Sequence, residues 1–402
     1  MLKNFEITGP QLLHTPFLWT LLLLVLMVAG CQNKQSRQHN LLIDKEATPE
    51  TIQLYKNLMA MRGQHAMFGH QATLAYGYRW QGDSSRSDVH DVTGSFPAVY
   101  GWDILDFWQA DYSDERIAEE MEQSLAYARE GLERGGVLTY CWHMSNPVTR
   151  KSFYDTTRAV HTIIPGGENH QWYKETLDMV AGYFKELSPY PVIFRPFHEH
   201  NGDWFWWGKG LASEEDYITL WRFTVEYLRD QKNVHNLIWA FSPDRSRIDI
   251  ENFKTEYFYA YPGDDYVDLI GLDNYWDVGH PANDTPPETQ QKHFIRSLTM
   301  TAELARERNK VAALTETGLE AIPDADFWTD KMLPALTANE NTRQLTYLLV
   351  WRNATRHVEN RDHYYAPFPG QESADDFIKF YESEHILLED ELPELYKSKA
   401  FR

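Results

Sequence analysis

The stretch Val192-Ile-Phe-Arg-Pro-Phe-His-Glu199 begins as a short run of β-formers and ends on a histidine and a carboxylate. Seven other runs follow the same plan: His65–His70 (HAMFGH), Pro97–Asp103 (PAVYGWD), Gly136–His143 (GVLTYCWH), Asn236–Ser242 (NLIWAFS), Val267–Asn274 (VDLIGLDN), Val311–Thr317 (VAALTET) and Thr346–Asn353 (TYLLVWRN). Each is short and rich in apolar, β-branched or aromatic residues, as strands buried on both faces should be. Helical patterns separate most of them. Ser113 to Glu130 opens with an N-cap and two acidic residues and carries Ile117, Met121, Leu125 and Ala128 along one face, with Gly131 and Gly135-Gly136 to stop it. Tyr173–Leu187, Glu214–Gln231 and Thr289–Asn309 are comparable, and Ser373 to Tyr396 reads as helices packed on the outside through Phe377, Phe380 and Tyr381. Eight strands alternating with helices predict a single (β/α)8 barrel.

The C-terminal ends of the eight runs carry His70, Asp103, His143, His198-Glu199, Ser242, Asp273-Asn274-Tyr275, Glu316 and Trp351-Arg352. In such a barrel all eight ends surround one mouth, where active sites lie. Two glutamates there suit glycosidic cleavage, which needs one carboxylic acid to protonate the leaving oxygen and a second carboxylate to attack the anomeric carbon or activate water. Glu199 on the fourth run and Glu316 on the seventh face each other across an eight-stranded barrel. Glu199 also sits between His198 and His200, beside Trp204, Trp206 and Trp207, where partial desolvation would raise its pKa as a general acid requires. A metal reading stands beside this one: His198 and His200 can share a strand face, joined by His70 or His143. Against it, the spacing is not that of HExxH and the first strand lacks His-x-His.

Composition narrows the partner. The 402 residues are 43% hydrophobic and 24% charged, and the formal net charge is −21, which argues against nucleic acid and anionic lipid and for a neutral polymer or ligand. The 14 Trp, 23 Tyr and 20 Phe suit sugar rings as well as a core. Residues 1–30 read as a lipoprotein signal peptide: the apolar run Phe17 to Ala29 is too short to span a bilayer, and Val28-Ala29-Gly30-Cys31 resembles a lipobox with Cys31 as the acylated residue. Residues 31–48 read as a tether and 49–402 as the catalytic domain. This predicts a bacterial envelope protein, anchored in the outer membrane. The periplasmic face is slightly favoured over the cell surface because Gln32-Asn33-Lys34-Gln35 has no acidic residue. Cys141, the only other cysteine, reads as a buried small hydrophobe.

The sequence resembles glycoside hydrolase family 26, the β-mannanase family. The resemblance rests on Phe68-Gly-His-Gln71, Val99-Tyr-Gly-Trp-Asp103, Trp142-His-Met-Ser-Asn-Pro147 and, most specifically, Arg195-Pro-Phe-His-Glu-His-Asn-Gly-Asp-Trp-Phe-Trp-Trp-Gly208. Trp239-Ala-Phe-Ser-Pro243, Gly271-Leu-Asp-Asn-Tyr275, Thr315-Glu-Thr-Gly318 and Trp351-Arg-Asn353 follow in family order. It implies a retaining endo-hydrolysis of β-1,4-mannosidic linkages in mannan, galactomannan or glucomannan, with Glu199 as acid/base and Glu316 as nucleophile. By the same resemblance His198 would orient the acid/base region and Tyr275 would contact the nucleophile. His143, Phe241 and Trp351 would line the subsite of the attacked sugar, Arg352 would reach the next sugar, and Trp204, Trp206 and Trp207 would form the leaving-group side. His70, Asp103, Arg195 and Asn201 are expected as supports behind these groups. No metal and no cofactor is implied, and the protein is expected to act as a monomer. Exo-acting release of mannobiose, and the same mechanism on mixed-linkage glucan or β-1,3-xylan, remain open. The loop Ser145–Trp172 offers Phe153, Tyr154 or Trp172 as a sugar-stacking aromatic, and the insertions Ala72–Phe96 and Ala321–Thr342 are expected to shape the cleft ends.

Overall fold

The computed structural model describes residues 41–354, 361, 363–398, 400 and 401. Cys31, the lipobox and the signal peptide lie outside the described residues. All eight expected strands form: β1 (Ala66–Gln71), β2 (Val99–Asp103), β3 (Val137–Trp142), β4 (Val192–Pro196), β5 (Leu237–Phe241), β6 (Leu269–Asn274), β7 (Val311–Thr317) and β8 (Leu345–Val350). Each pairs in parallel with the next, and β8 closes on β1 through Met67 opposite Tyr347 to His70 opposite Val350. This is a (β/α)8 barrel. No helix among the described residues is long and apolar enough to cross a membrane.

Period-two alternation sorts the side chains. Met67, Val99, Val137, Ile193, Ile238, Ala240, Leu269, Val311, Ala313, Tyr347 and Leu349 fill the barrel, with Leu54, Leu58 and Met61 of the helix Pro49–Met61 in the same cluster. Their neighbours along the strands, such as Phe68, Tyr100, Tyr140, Phe194, Trp239 and Leu314, pack outward in the layer between the barrel and its helices. Higher in the barrel the inward positions turn polar, and this is where the site begins.

The tether expected over 31–48 ends earlier than its composition suggested. Leu42 is fully buried, Ile43 donates its N–H to Asp268 at 2.8 Å, Asp44 pairs with His235 at 2.9 Å, and Thr48 caps the helix Pro49–Met61. Residues 42–48 therefore belong to the barrel, because Leu42 and Ala47 have apolar surface to bury there.

Three helical expectations also shift. The helix Asp114–Glu133 runs through Gly131, which is there because a Cβ at that position would meet the Tyr100 ring at 2.9 Å; the chain turns at Gly135, where φ is +87°. The helix Glu214–Glu226 hands over to a wider turn at Tyr227–Gln231. Beyond the helix Ala374–Tyr381 the C-terminal segment forms no further α-helix: Ile386–Leu387 adds a short parallel strand beside β1, followed by one 3-10 turn at Glu389–Glu391.

Candidate active site

Two local backbone devices aim the two glutamates. β4 stops at Pro196, and the next residues enter a turn in which Phe197 and Glu199 take φ values of +51° and +53°. Such conformations cost a non-glycine residue about 1–2 kcal/mol each, so something must hold them. Tyr217 Oη donates to the Phe197 carbonyl at 2.9 Å, Trp207 Nε1 to the His198 carbonyl at 2.9 Å, and the Glu199 N–H to the Ser242 carbonyl at 2.8 Å. The turn lifts the Glu199 carboxyl into the cleft, where Trp204 Nε1 donates to its Oε2 at 2.8 Å.

Glu316 is aimed differently. Strict alternation would send it outward with Ala312 and Leu314. The β6–β7 register instead jumps from Leu272 opposite Leu314 to Asp273 opposite Glu316, so Thr315 is an extra residue, a β-bulge. Thr315 Oγ1 donates to Asp273 Oδ1 at 2.6 Å, and Glu316 also turns inward. Buried Arg195, inward on β4, donates to Ser242 Oγ at 3.0 Å, to Asp273 Oδ2 at 3.1 Å and through its second nitrogen to Glu316 Oε1. Tyr275 Oη donates to Glu316 Oε2 at 2.9 Å. A charge-assisted fork and a phenol thus fix both oxygens of this carboxylate.

Carboxylate oxygens of Glu199, Glu316 and Asp273 lie within 4.8 Å of one another. Glu199 and Glu316 line one open cleft of about 780 Å³, together with His143, His198, Trp204, Phe205, Asp244, Tyr275 and Trp351. Burial, followed by the charges of Asp244, Asp273 and Glu316, holds the Glu199 carboxyl well above its ordinary pKa. Glu199 therefore keeps its proton where an ordinary carboxyl would have lost it. Burial, reinforced by His143 and Arg195, pushes His198 far below the usual imidazole value, so it is neutral. His143 Nδ1 is hydrogen-bonded to Asp103 Oδ2, and its ring meets His198 edge-on at 4.6 Å. Burial opposes the charge on Asp103, but the His143 partnership outweighs it and leaves Asp103 below its ordinary pKa.

The other expected residues divide clearly. Trp351 walls the cleft beside His143, with ring centroids 5.9 Å apart. Arg352 lies with its guanidinium 5.1 Å from the Trp351 ring, outside the residues lining the cleft. Asn201 Nδ2 donates to the Asp244 carbonyl while its Oδ1 accepts from the Asp244 N–H, both at 2.8 Å. His70 shares the outward parity of Phe68, is bonded to Thr73 Oγ1 at 2.9 Å and touches neither carboxylate; burial lowers its pKa to about 3.

Phe241 and Trp207 are corrections. Both are 0% exposed and neither lines the cleft. Phe241 follows Trp239 outward and packs against His200, Trp221, Tyr257 and Tyr261. Trp207 clamps the Glu199 turn from beneath, and Trp206, also fully buried, donates to the Met144 carbonyl at 2.8 Å. The shared face proposed for His198 and His200 does not form either. The left-handed turn sends His200 away to the Tyr259 carbonyl at 2.7 Å, stacked on Tyr217.

In the loop left open by the sequence, Tyr154 reaches the cleft. It is 59% exposed and stacks on Phe205 at 5.6 Å, while Phe153 packs beneath against His143 and Trp172 lies under the Arg150 guanidinium. Sequence reasoning missed Asp244, Ser246, Arg247, Trp276, His280 and Leu319, which line the cleft from loops. The only signal was position, just after the strand ends that were already assigned.

A model of glycosyl hydrolase family 26 matches residues 43–326. The chain is 31% identical over 363 residues to a mannan endo-1,4-beta-mannosidase of Bifidobacterium adolescentis, covering 86% of this chain and 35% of that protein. It is 30% identical to a Bacillus subtilis mannan endo-1,4-beta-mannosidase over 48% of this chain and 55% of the relative. The chain thus spans between about a third and a little over half of these curated relatives. Among solved structures, a family 26 beta-mannanase from Bacteroides ovatus is 39% identical, with a TM-score of 0.77 over 88% of this chain and 99% of that one. A modular endo-beta-1,4-mannanase from Cellulomonas fimi is 32% identical, with a TM-score of 0.79 over 89% and 79%. With the barrel, the paired carboxylates and the matched span in agreement, the chain belongs to glycosyl hydrolase family 26.

Proposed function

We propose that the protein hydrolyses internal β-1,4-mannosidic linkages of mannan, galactomannan or glucomannan with retention of anomeric configuration. The observation that carries the reading is the approach of Glu199 and Glu316 oxygens to within 4.8 Å across the cleft. This accords with the about 5–5.5 Å between carboxyl groups typical of double displacement rather than the roughly 6.5–9.5 Å that admits a water between them. The names of the relatives support mannan as the substrate.

Each residue then has a task. Glu316, its oxygens oriented by Arg195 and Tyr275, attacks the anomeric carbon as the glycosidic C–O bond breaks. Glu199 delivers its proton to the departing oxygen. The product of this step is a glycosyl ester on Glu316 and a shortened chain with a free hydroxyl. Glu199, now ionised, takes a proton from water, whose oxygen attacks the same carbon and releases Glu316. His143 and Trp351 wall the sugar under attack. Trp204, bonded to Glu199, and Tyr154 on Phe205 flank the cleft as aromatic platforms. Two carboxylates supply the chemistry, so no cofactor enters the scheme. Both come from one chain, which supports action as a monomer.

The test is incubation of residues 42–402 with mannohexaose, cellohexaose and xylohexaose, following products over time. A mixture of short manno-oligosaccharides from the first alone is expected. Mannobiose alone would make the action exo, and cleavage of only the others would overturn mannan as the substrate.

The lipobox-like Val28–Cys31 supports anchoring through an acylated Cys31 in the outer membrane of a bacterial envelope, and the absence of acidic residues from Gln32-Asn33-Lys34-Gln35 supports the periplasmic face. Labelled palmitate should enter the wild type and not Cys31→Ala. Release of the protein by protease from intact cells would overturn the periplasmic placement.

A further inference from the structure

Asp244 follows β5, is 6% exposed and lines the cleft that holds Glu199. Its backbone is built into the acid/base turn. Asn201, two residues past Glu199, exchanges two hydrogen bonds of 2.8 Å with the Asp244 N–H and carbonyl, and the Glu199 N–H bonds to Ser242 on the same segment. On its other side Asp244 bridges to Asp273, whose N–H donates to the Pro243 carbonyl at 3.1 Å.

The carboxylate has an unusual balance of partners for this cleft. Asp273 and Glu316 share the buried Arg195 between them, with Thr315 and Tyr275 as further donors. The Asp244 carboxylate instead accepts from the neutral Ser246, through its N–H at 2.7 Å and its hydroxyl. The two arginines nearest in sequence are engaged elsewhere, Arg245 with Asp277 at 2.9 Å and Arg247 with Asp203 at 2.7 Å. Around Glu199, the charged or titratable groups are Asp244 from the β5 loop, Asp273 and Tyr275 from β6 and its end, Glu316 from β7, Arg195 from β4 and neutral His198; His143, His280, Glu320 and Arg247, whose guanidinium lies 5.2 Å from the Trp204 ring, line the same cleft. Among the described residues no ion pair to the Asp244 carboxylate forms, although the charges of Arg247 and Arg245 still favour its ionised form.

We propose that Asp244 is a positioning residue for the acid/base: its backbone fixes the turn that carries Glu199, and its carboxylate, facing the same cleft, keeps the Glu199 proton in place for delivery to the leaving oxygen. Burial pushes Asp244 up to about 6, so it is charged at neutral pH, where its field matters, and after burial it is the foremost influence raising Glu199. The inference rests on the assignment of Glu199 as acid/base.

The test is Asp244→Asn, which keeps the oxygen that accepts from Ser246 and all the backbone bonds to Asn201. The pH profile of kcat/KM on mannohexaose should lose its alkaline limb at a pH lower by about 0.5–1 unit, since a neighbouring negative charge has gone. A dinitrophenyl β-mannobioside, whose leaving group needs no proton, should lose less than mannohexaose at pH 8. An alkaline limb that stays in place, or equal losses on both substrates, would overturn the proposal. A wild-type enzyme that cleaves neither manno-substrate would instead refute the proposed function.

Discussion

The two glutamates occupy one cleft and are held in opposite ways. Glu316 lies in a bed of donors, with the Arg195 fork on one oxygen and the Tyr275 phenol on the other. Glu199 has a single neutral donor, Trp204, and negative neighbours in Asp244, Asp273 and Glu316. The first arrangement fixes both oxygens of the carboxylate in direction. The second favours a carboxyl that keeps a proton and can exchange it. In the proposed mechanism the company each strand end keeps lets the same residue type serve once as nucleophile and once as acid.

The contrast can be broken at either end. Glu316→Ala should cost several orders of magnitude in kcat on both mannohexaose and an aryl mannobioside, because no covalent step remains; activity above a tenth of wild type on either substrate would reassign the nucleophile. Glu199→Gln should cost about 10²–10⁴-fold on mannohexaose, with a much smaller loss in glycosylation by a dinitrophenyl mannobioside. Equal losses on the two substrates would show that Glu199 does not act through a proton. Tyr275→Phe removes one bond to a charged acceptor, about 1.5–3 kcal/mol, and should lower kcat/KM roughly 10- to 100-fold with little change in melting temperature.

Trp204→Phe gives the smallest effect and the most diagnostic sign. The indole N–H favours the ionised form of Glu199, so its loss should raise the Glu199 pKa further. Activity, which needs the protonated acid and falls as pH rises through that pKa, should then persist to higher pH. A limb that moved down would mean the indole stabilises the protonated form instead. Asp244→Asn moves the same limb the other way, so the pair brackets the acid from both sides.

Much of this was legible in the chain. The eight runs became strands because their residues are β-formers that only a sheet covered on both faces can bury, and their polar ends collected at one mouth because the strands are parallel. Phe241 shows a signal present in the pattern itself: Trp239 and Phe241 share a parity, with Ala240 between them on the opposite one, so the ring had to point towards the helices. Glu316 shows the converse. Alternation counted from Val311 would have sent it outward, and no residue type in Leu-Thr-Glu-Thr announces the bulge. Asp244, Arg247 and Trp276 were hidden because loops have no period, and their approach to the cleft depends on contacts such as the Asn201 exchange that span tens of residues.

The bulge at Thr315 makes the active site a matter of counting. Deleting Thr315 would set Glu316 directly after outward-facing Leu314 and opposite Asp273, still inward, but without the hydroxyl that bonds Asp273. Keeping Thr315 and straightening the bulge would instead turn Glu316 into the helix layer. At this strand the irregularity and the site go together, so a design that imposed plain alternation on Leu314-Thr-Glu-Thr317 would take the carboxylate out of the cleft.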